Sequence, residues 1–304
     1  MNSIHKAILK TLVYADIFNY PLTASEIHHW LICQNSAQPP ALKNITSIIK
    51  NTPHIQTTSP YFYLKNHQKN ISLRQQHHRF SQTKLKFARQ ATAYLKFIPT
   101  INLIAVTGAL AMNNSHKNDD IDLMIITQSN KLWITRLLTI FLLEIFRLRR
   151  RPVTDTPGCN LIAPRGVKSF NNKICLNLFL DESSLKILPV NRNLFTAHEI
   201  CQLKPIYNKQ NTYQKFLNAN SWTKKYLPHA LKVPDTPGCH LLTPQGDQSW
   251  NPIELLAFKL QYAYMKSKIT NETITPHSAF FHPRPTAKIL LQQYQAKLKQ
   301  FNLK

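Results

Sequence analysis

The chain has 304 residues, 43% of them hydrophobic, enough for two or three compact domains and too apolar for a disordered protein. Its 38 Lys and Arg against 14 Asp and Glu give a formal charge of +24, a field that favours RNA, DNA, nucleoside triphosphates or an acidic membrane surface, although a generally basic proteome would give the same balance. Five scattered cysteines without a C-x-x-C pair speak against a disulfide scaffold and for reduced thiols in a cytosol, and residues 1–10 lack a signal-peptide core.

Residues 4–18 carry Ile4, Ile8 and Leu12 at helical spacing, with Leu9 and Val13 on the neighbouring row, and Asn19-Tyr20-Pro21 ends that helix. Thr23-Ala24-Ser25-Glu26 reads as a capping box opening a second helix through Leu31. After Gln38-Pro39-Pro40, a third helix over 41–50 turns Leu42, Ile45 and Ile49 inward, and 55–65 reads as a hairpin carrying Tyr61, Phe62 and Tyr63. Three helices and a hairpin over residues 1–66 resemble a winged helix-turn-helix. The presumed recognition helix offers Lys43, Asn44 and Lys50 to a groove, so DNA binding and a packing or dimerisation role both stay open.

A polar, basic helix is expected over 68–96, with Leu85, Ala88, Thr92 and Leu95 as its inner row. The histidine pairs His28-His29 and His77-His78 are adjacent rather than four apart, which suits solvated helix faces better than a metal. Ile101 to Val106 then reads as a buried strand. Gly108 permits a tight turn in which backbone amides approach a ligand. Asp119, Asp120 and Asp122 follow, so three of the 14 acids fall within four positions, and Leu123 to Ile126 is a second apolar run. On a strand, Asp120 and Asp122 project from one face. Two such carboxylates repel unless a cation lies between them, and hard oxygen ligands suit Mg²⁺, which also bridges to phosphate.

Thr107-Gly108-Ala109, ten intervening residues and Asp120-Ile121-Asp122 resemble the signature of the DNA polymerase β-like nucleotidyltransferase superfamily, in particular its minimal members. The resemblance implies that the turn at Gly108 and Ala109 holds nucleotide phosphates and that Asp120 and Asp122 hold Mg²⁺. The family usually has Gly or Ser where Ala109 stands; the amide survives that change and a hydroxyl does not. A third carboxylate commonly comes from the next strand, here 173–180. The matching position is Asn177, which offers a neutral oxygen but cannot act as a base. Asp181 and Glu182, at the end of that strand, would take its place in a different register.

The most apolar window, 132–148, is short for a membrane crossing and contains Arg136, Glu144 and Arg147, so it reads as a buried helix, with no membrane association. Arg149-Arg150-Arg151 suits a helix C-terminus or a phosphate. Residues 155–166 recur as 235–246 with eight of twelve positions matching; both copies read as exposed loops, and Cys159 and Cys239 occupy equivalent places in them. A helix is expected over 213–226, a further one from Asn251-Pro252-Ile253-Glu254 to about Lys268, and a last one over 286–301. Lys259, Lys266, Lys268 and Arg284 face either a triphosphate or solvent.

The sequence thus describes an α+β protein: a winged-helix-like domain over 1–66, a mixed-sheet nucleotidyltransferase core over 67–210 and a helical region over 211–304. The expected activity is Mg²⁺-dependent transfer of a nucleoside monophosphate from a nucleoside triphosphate to an unidentified acceptor in the cytoplasm, with nucleic acid among the candidate partners. The alternatives are a catalytically impaired member of the fold that binds nucleic acid or regulates, and a toxin–antitoxin-type partner that modifies another protein.

Overall fold

The computed structural model describes residues 3–33, 42–50, 52–149, 173–231, 251–267, 269, 272–281 and 286–303. In chain order the elements are α1 (Ser3–Asp16), β1 (Leu22–Thr23), α2 (Ala24–His29), α3 (Leu42–Lys50), β2 (Ile55–Thr58), β3 (Tyr61–Leu64), α4 (Asn70–Leu95), β4 (Ile101–Val106), α5 (Gly108–Ala111), β5 (Ile121–Thr127), α6 (Leu132–Ile145), β6 (Ile174–Asp181), α7 (Leu194–Cys201), β7 (Lys204–Asn208), α8 (Thr212–Ala219), α9 (Pro252–Lys266), β8 (Thr273–Ile274), β9 (Ser278–Phe280) and α10 (Thr286–Gln300). The architecture is mixed α+β. A small antiparallel sheet in the order β1-β3-β2 lies in the N-terminal part, and a mixed sheet follows in the order β7-β4-β5-β6-β9-β8.

The N-terminal elements form where local rules put them. Thr23 caps α2 through a complete capping box: its hydroxyl accepts from Glu26 N at 3.3 Å and its own N–H donates to Glu26 Oε2 at 2.8 Å. Helix α2 ends at His29, short of the expected Leu31. Strand β1, absent from the sequence reading, adds to the expected hairpin through Leu22↔Phe62 and Thr23↔Tyr61. In α3, Ile45 and Ile49 are buried as expected, but Leu42 is 45% exposed, and the side chains of Lys43, Asn44 and Lys50 lie outside the described residues. Ile8, Leu12, Ile27, Ile45 and Leu64 share one core with Leu194 and Ala197 of α7, with Leu227, and with Tyr294 of α10. Segments 1–66, 67–210 and 211–304 therefore all contribute to it.

Arg74 of α4 ties this part to the rest. Its guanidinium grips Glu26 through two bonds of 2.8 and 2.6 Å and stacks over the Tyr20 and Tyr61 rings. Burial opposes charge on both partners, but their mutual pairing wins: the Glu26 carboxyl is held low and the Arg74 guanidinium is held high.

The larger sheet has a core on each face. Ile104, Val106, Ile121, Leu123 and Ile125 meet Leu85, Ala88 and Leu95 of α4 and Trp133 of α6 on one face. Leu103, Ala105, Met124 and Ile126 meet Ile200 of α7 and Phe216 of α8 on the other. Period-two alternation sorts the side chains, and because both faces are covered the strands read as unbroken apolar runs. Strand β5 is antiparallel to β4 and parallel to β6, to which it connects through α6.

Helix α6 departs from the buried helix expected. Trp133, Thr139 and Leu143 are buried, whereas Leu137 is 45%, Phe141 62% and Ile145 55% exposed. One side of the helix packs on the sheet and α9, and the opposite side faces outward. No helix among the described residues is long and apolar enough to cross a membrane. Asn251 caps α9 as expected, its Oδ1 accepting from Ile253 N at 3.0 Å. Glu254, which reads as part of that same start signal, instead accepts from Trp133 N at 2.5 Å and Ile134 N at 3.1 Å, and so caps α6. The helix expected over 213–226 breaks at Asn220. That side chain is fully buried, accepts from Ile187 N at 2.9 Å and donates to Leu185 O at 2.8 Å. The two near-repeats, with Cys159 and Cys239, lie outside the described residues.

Candidate functional site

Strand β4 ends at Val106, and the chain turns at once into the one-turn helix α5. Gly108 makes that possible, with φ at +60°, a conformation L side chains avoid. The turn lies directly against Asp122. Thr107 N donates to Asp122 O at 3.1 Å, and a methyl group on Gly108 would lie 3.5 Å from Asp122 Oδ2. Asp122 is on β5, on the face of the sheet that also carries Met124 and Ile126; Asp120 stands one residue before the strand. Both are half-buried. Lys84 of α4 supports the approach to the strand. It is 1% exposed, and its ammonium donates to the carbonyls of Lys117, at 3.2 Å, and of Asp119. Burial lowers its pKa, while Asp119 and Asp120 act against that. Sequence periodicity gave no reason to expect a buried lysine there.

Asn177 lies on β6 and is 5% exposed. The β5–β6 register runs Leu123↔Leu176 and then Met124↔Leu178, so Asn177 is the extra residue of a bulge. Asn177 and Leu178 consequently both line one cavity of about 500 Å³, together with Thr107 and Met124. Asp181 and Glu182 do not join them. Asp181 pairs with Thr127, six residues beyond Cys175, the partner of Asp122, so it lies roughly 20 Å along the sheet at 3.3 Å per residue. It is fully buried and spends its oxygens on Ser183 N at 2.9 Å, Asn130 N at 3.2 Å and His277 Nδ1 at 2.7 Å.

The acid that does reach the turn is Glu199, on α7, for which the sequence gave no signal. Asn193 caps this helix by accepting from Thr196 N at 3.0 Å. Leu194 and Ala197 enter the N-terminal core and Ile200 enters the sheet core, so the helix is wedged between the two. That position turns Glu199 toward Gly108. Gln202 Nε2 donates to Glu199 Oε1 at 2.6 Å and approaches Gly108 O at 3.5 Å. Burial, followed by the charge of Asp122, pushes the Glu199 carboxyl up to about 7; the Gln202 amide and the Gly108 backbone act the other way. Glu199 lines the 500 Å³ cavity and also a smaller aromatic one of about 110 Å³. In the larger cavity the Thr107 hydroxyl is buried and has no hydrogen-bond partner.

Among the cations expected near a triphosphate, Lys259 and Lys266 are exposed on α9 and line neither cavity, whereas Lys288 of α10 lines the larger one. Arg149 pairs with Glu144 at 3.1 Å; Arg150, Arg151, Lys268 and Arg284 lie outside the described residues. The expected solvated histidines include one correction: His77 is 4% exposed and bonds to Asn114 Oδ1 at 2.9 Å, holding the loop before Asp119 to α4. Among the described residues no three His, Cys, Asp or Glu side chains form a ready-made metal cluster. Asp120 and Asp122 line neither cavity, but two hard carboxylates are donors of the kind that Mg²⁺ takes. No protein-family model, curated protein or solved structure matches the chain.

Proposed function

We propose that the chain is a nucleotidyltransferase of the DNA polymerase β-like superfamily, with a winged-helix-like N-terminal part, which moves a nucleoside monophosphate from a nucleoside triphosphate to a hydroxyl. The observation that carries this reading is the left-handed Gly108 turn packed against Asp122, with Thr107, the residue before it, lining a cavity of about 500 Å³. A cavity of that size suits a nucleotide. The Gly108 and Ala109 backbone would meet phosphate oxygens, and the unpartnered Thr107 hydroxyl would donate to one of them. Asp120 and Asp122 would hold Mg²⁺, whose contribution when bound is to neutralise phosphate charge. Asn177 would add a neutral amide to the same wall.

Glu199 supplies the ionisable group that Asn177 cannot. Its carboxylate would accept the proton of the attacking hydroxyl as that oxygen bonds to the α-phosphorus. The bond from the α-phosphorus to the bridging oxygen then breaks, and pyrophosphate leaves with its electron pair. A carboxyl titrating near 7 suits a base working near neutral pH. Cytoplasmic residence accords with five scattered cysteines that form no C-x-x-C pair.

The test is a thermal-shift screen with Mg²⁺ and each of the four nucleoside triphosphates, paired with pyrophosphate release. Wild type should be stabilised by one or more of the pairs, and Asp122→Asn should lose that shift while remaining as stable as wild type without ligand. A full shift in Asp122→Asn would refute the metal assignment. Wild type that binds nucleotide but releases no pyrophosphate with any acceptor would favour the impaired, regulatory reading.

A further inference from the structure

Glu199 has a second neighbour that the chemistry above does not use. The 110 Å³ cavity lies between α1, the end of α2, the Gly108 turn and α7. Its walls are rings: Tyr14, Phe18, Tyr20, Trp30 and His198. His198 is stacked on Tyr14 at 4.1 Å with 10° between planes, and on Trp30 at 5.3 Å. The His198 side chain is 7% exposed, and its Nε2 has no hydrogen-bond partner. Burial, with His29 second, drives its pKa down to about 3, so the ring is neutral at physiological pH. The polar rim consists of Glu199, Gln202 and Asn114. Closed apolar cavities of about 150 Å³ hold one benzene ring, so this one, open at its mouth, takes a single ring system at most. A planar ring with hydrogen-bonding edges matches both the walls and the rim, and base-on-aromatic stacking is the general way single strands are held.

The surroundings suit a polyanion. Lys204, beside the turn, donates to Asn113 Oδ1 at 3.1 Å, and its pKa is lowered by burial and then by Arg89. Two cations facing each other carry a cost that a phosphate relieves. The chain as a whole has a formal charge of +24.

We propose that the aromatic cavity receives the terminal base of a single-stranded nucleic acid and so presents the hydroxyl of that end nucleoside to Glu199. The cavity and the larger one meet at Glu199, so a base in the first and a triphosphate in the second bring acceptor and donor together at one carboxylate. The hydroxyl's role as acceptor rests on the nucleotidyl-transfer reading; base binding does not.

The experiment is fluorescence anisotropy of 5′-labelled hexamers, in RNA and DNA form, at low ionic strength and without nucleotide. Each is compared with the same strand bearing an abasic 3′ end. Phe18→Ala removes a wall residue that is 37% exposed, so the fold should tolerate it, and Ala15→Leu fills the cavity. Wild type should bind the complete strand roughly five- to 150-fold more tightly than the abasic one, the usual worth of one stacked base. That preference should shrink in Phe18→Ala and disappear in Ala15→Leu. Equal binding of complete and abasic strands by wild type, or a preference untouched by both cavity variants, overturns the proposal whatever the transfer assay shows. A retained preference without any pyrophosphate release leaves base binding standing and removes the transfer reading alone.

Discussion

Replacing Glu199 by Gln removes the charge of this carboxyl and leaves its shape. The folded protein holds the proton with a pKa of about 7, against an ordinary 4.5. The sign follows from linkage. Below the unfolded value both states are protonated and the contribution to stability is complete. As pH rises toward 7 the unfolded chain ionises first, and folded stability is lost until both states are charged. A shift of that size corresponds to roughly 3 kcal/mol at 1.36 kcal/mol per unit. Because the carboxyl is only half-buried, solvent screening reduces the effect to about 1–2 kcal/mol. For a chain of this length that is ~2–3 °C in melting temperature. The assay is thermal melting of wild type and Glu199→Gln from pH 5 to pH 8 at fixed ionic strength, with a chelator present. The two should differ least at pH 5, and the variant should melt higher by nearly the full amount at pH 8. Asp122→Asn, which removes the second cause of the shift after burial, should leave the onset of the loss where the unfolded chain ionises, and should end it at a lower pH and shrink it, by lowering the folded pKa toward the unfolded one. A difference between wild type and Glu199→Gln that stays flat across the range would mean that burial and Asp122 do not act on Glu199, and the site described above would lose its third acid.

Other outcomes follow from single contacts. Gly108→Ala should cost about 1–2 kcal/mol in chemical denaturation through its left-handed backbone, since the added methyl would meet Asp122 Oδ2 only at ordinary contact distance; an unchanged midpoint would mean the turn relaxes freely. Glu254→Ala should destabilise by about 1–3 kcal/mol, because the Trp133 and Ile134 amides lose their acceptor in a buried place, and Glu254→Gln should recover part of that; equal melting of all three proteins would refute the cap. Lys84→Met keeps the length of the side chain but leaves the Lys117 and Asp119 carbonyls without their donor, with an expected loss of ~1–3 kcal/mol and faster amide exchange over 115–120.

Local rules written in the sequence determined a good part of this molecule. The 3.6-residue period fixed α1 and α4, the Thr23–Glu26 box and the Asn251 cap marked two helix starts, and the apolar runs around Gly108 marked β4 and β5, because periods and caps act within a few residues. Gly108 and Asp122 were each marked by the sequence, but their contact was set by the pairing of β4 with β5 across the connection 107–120. What tertiary structure alone decided lies in contacts between distant segments. Helix α7 has eight residues wedged between two cores, so no single apolar stripe betrays it, and the path that carries Glu199 to the turn is fixed by packing. Glu254 looks like part of its own helix start and caps another helix; Lys84 and His77 look solvated and are buried, because each finds partners on a loop more than thirty residues away. The bulge at Asn177 likewise depends on register with β5, which a strand pattern does not contain. Burying a polar group is tolerated only where a partner satisfies it, and the partner is chosen by the fold.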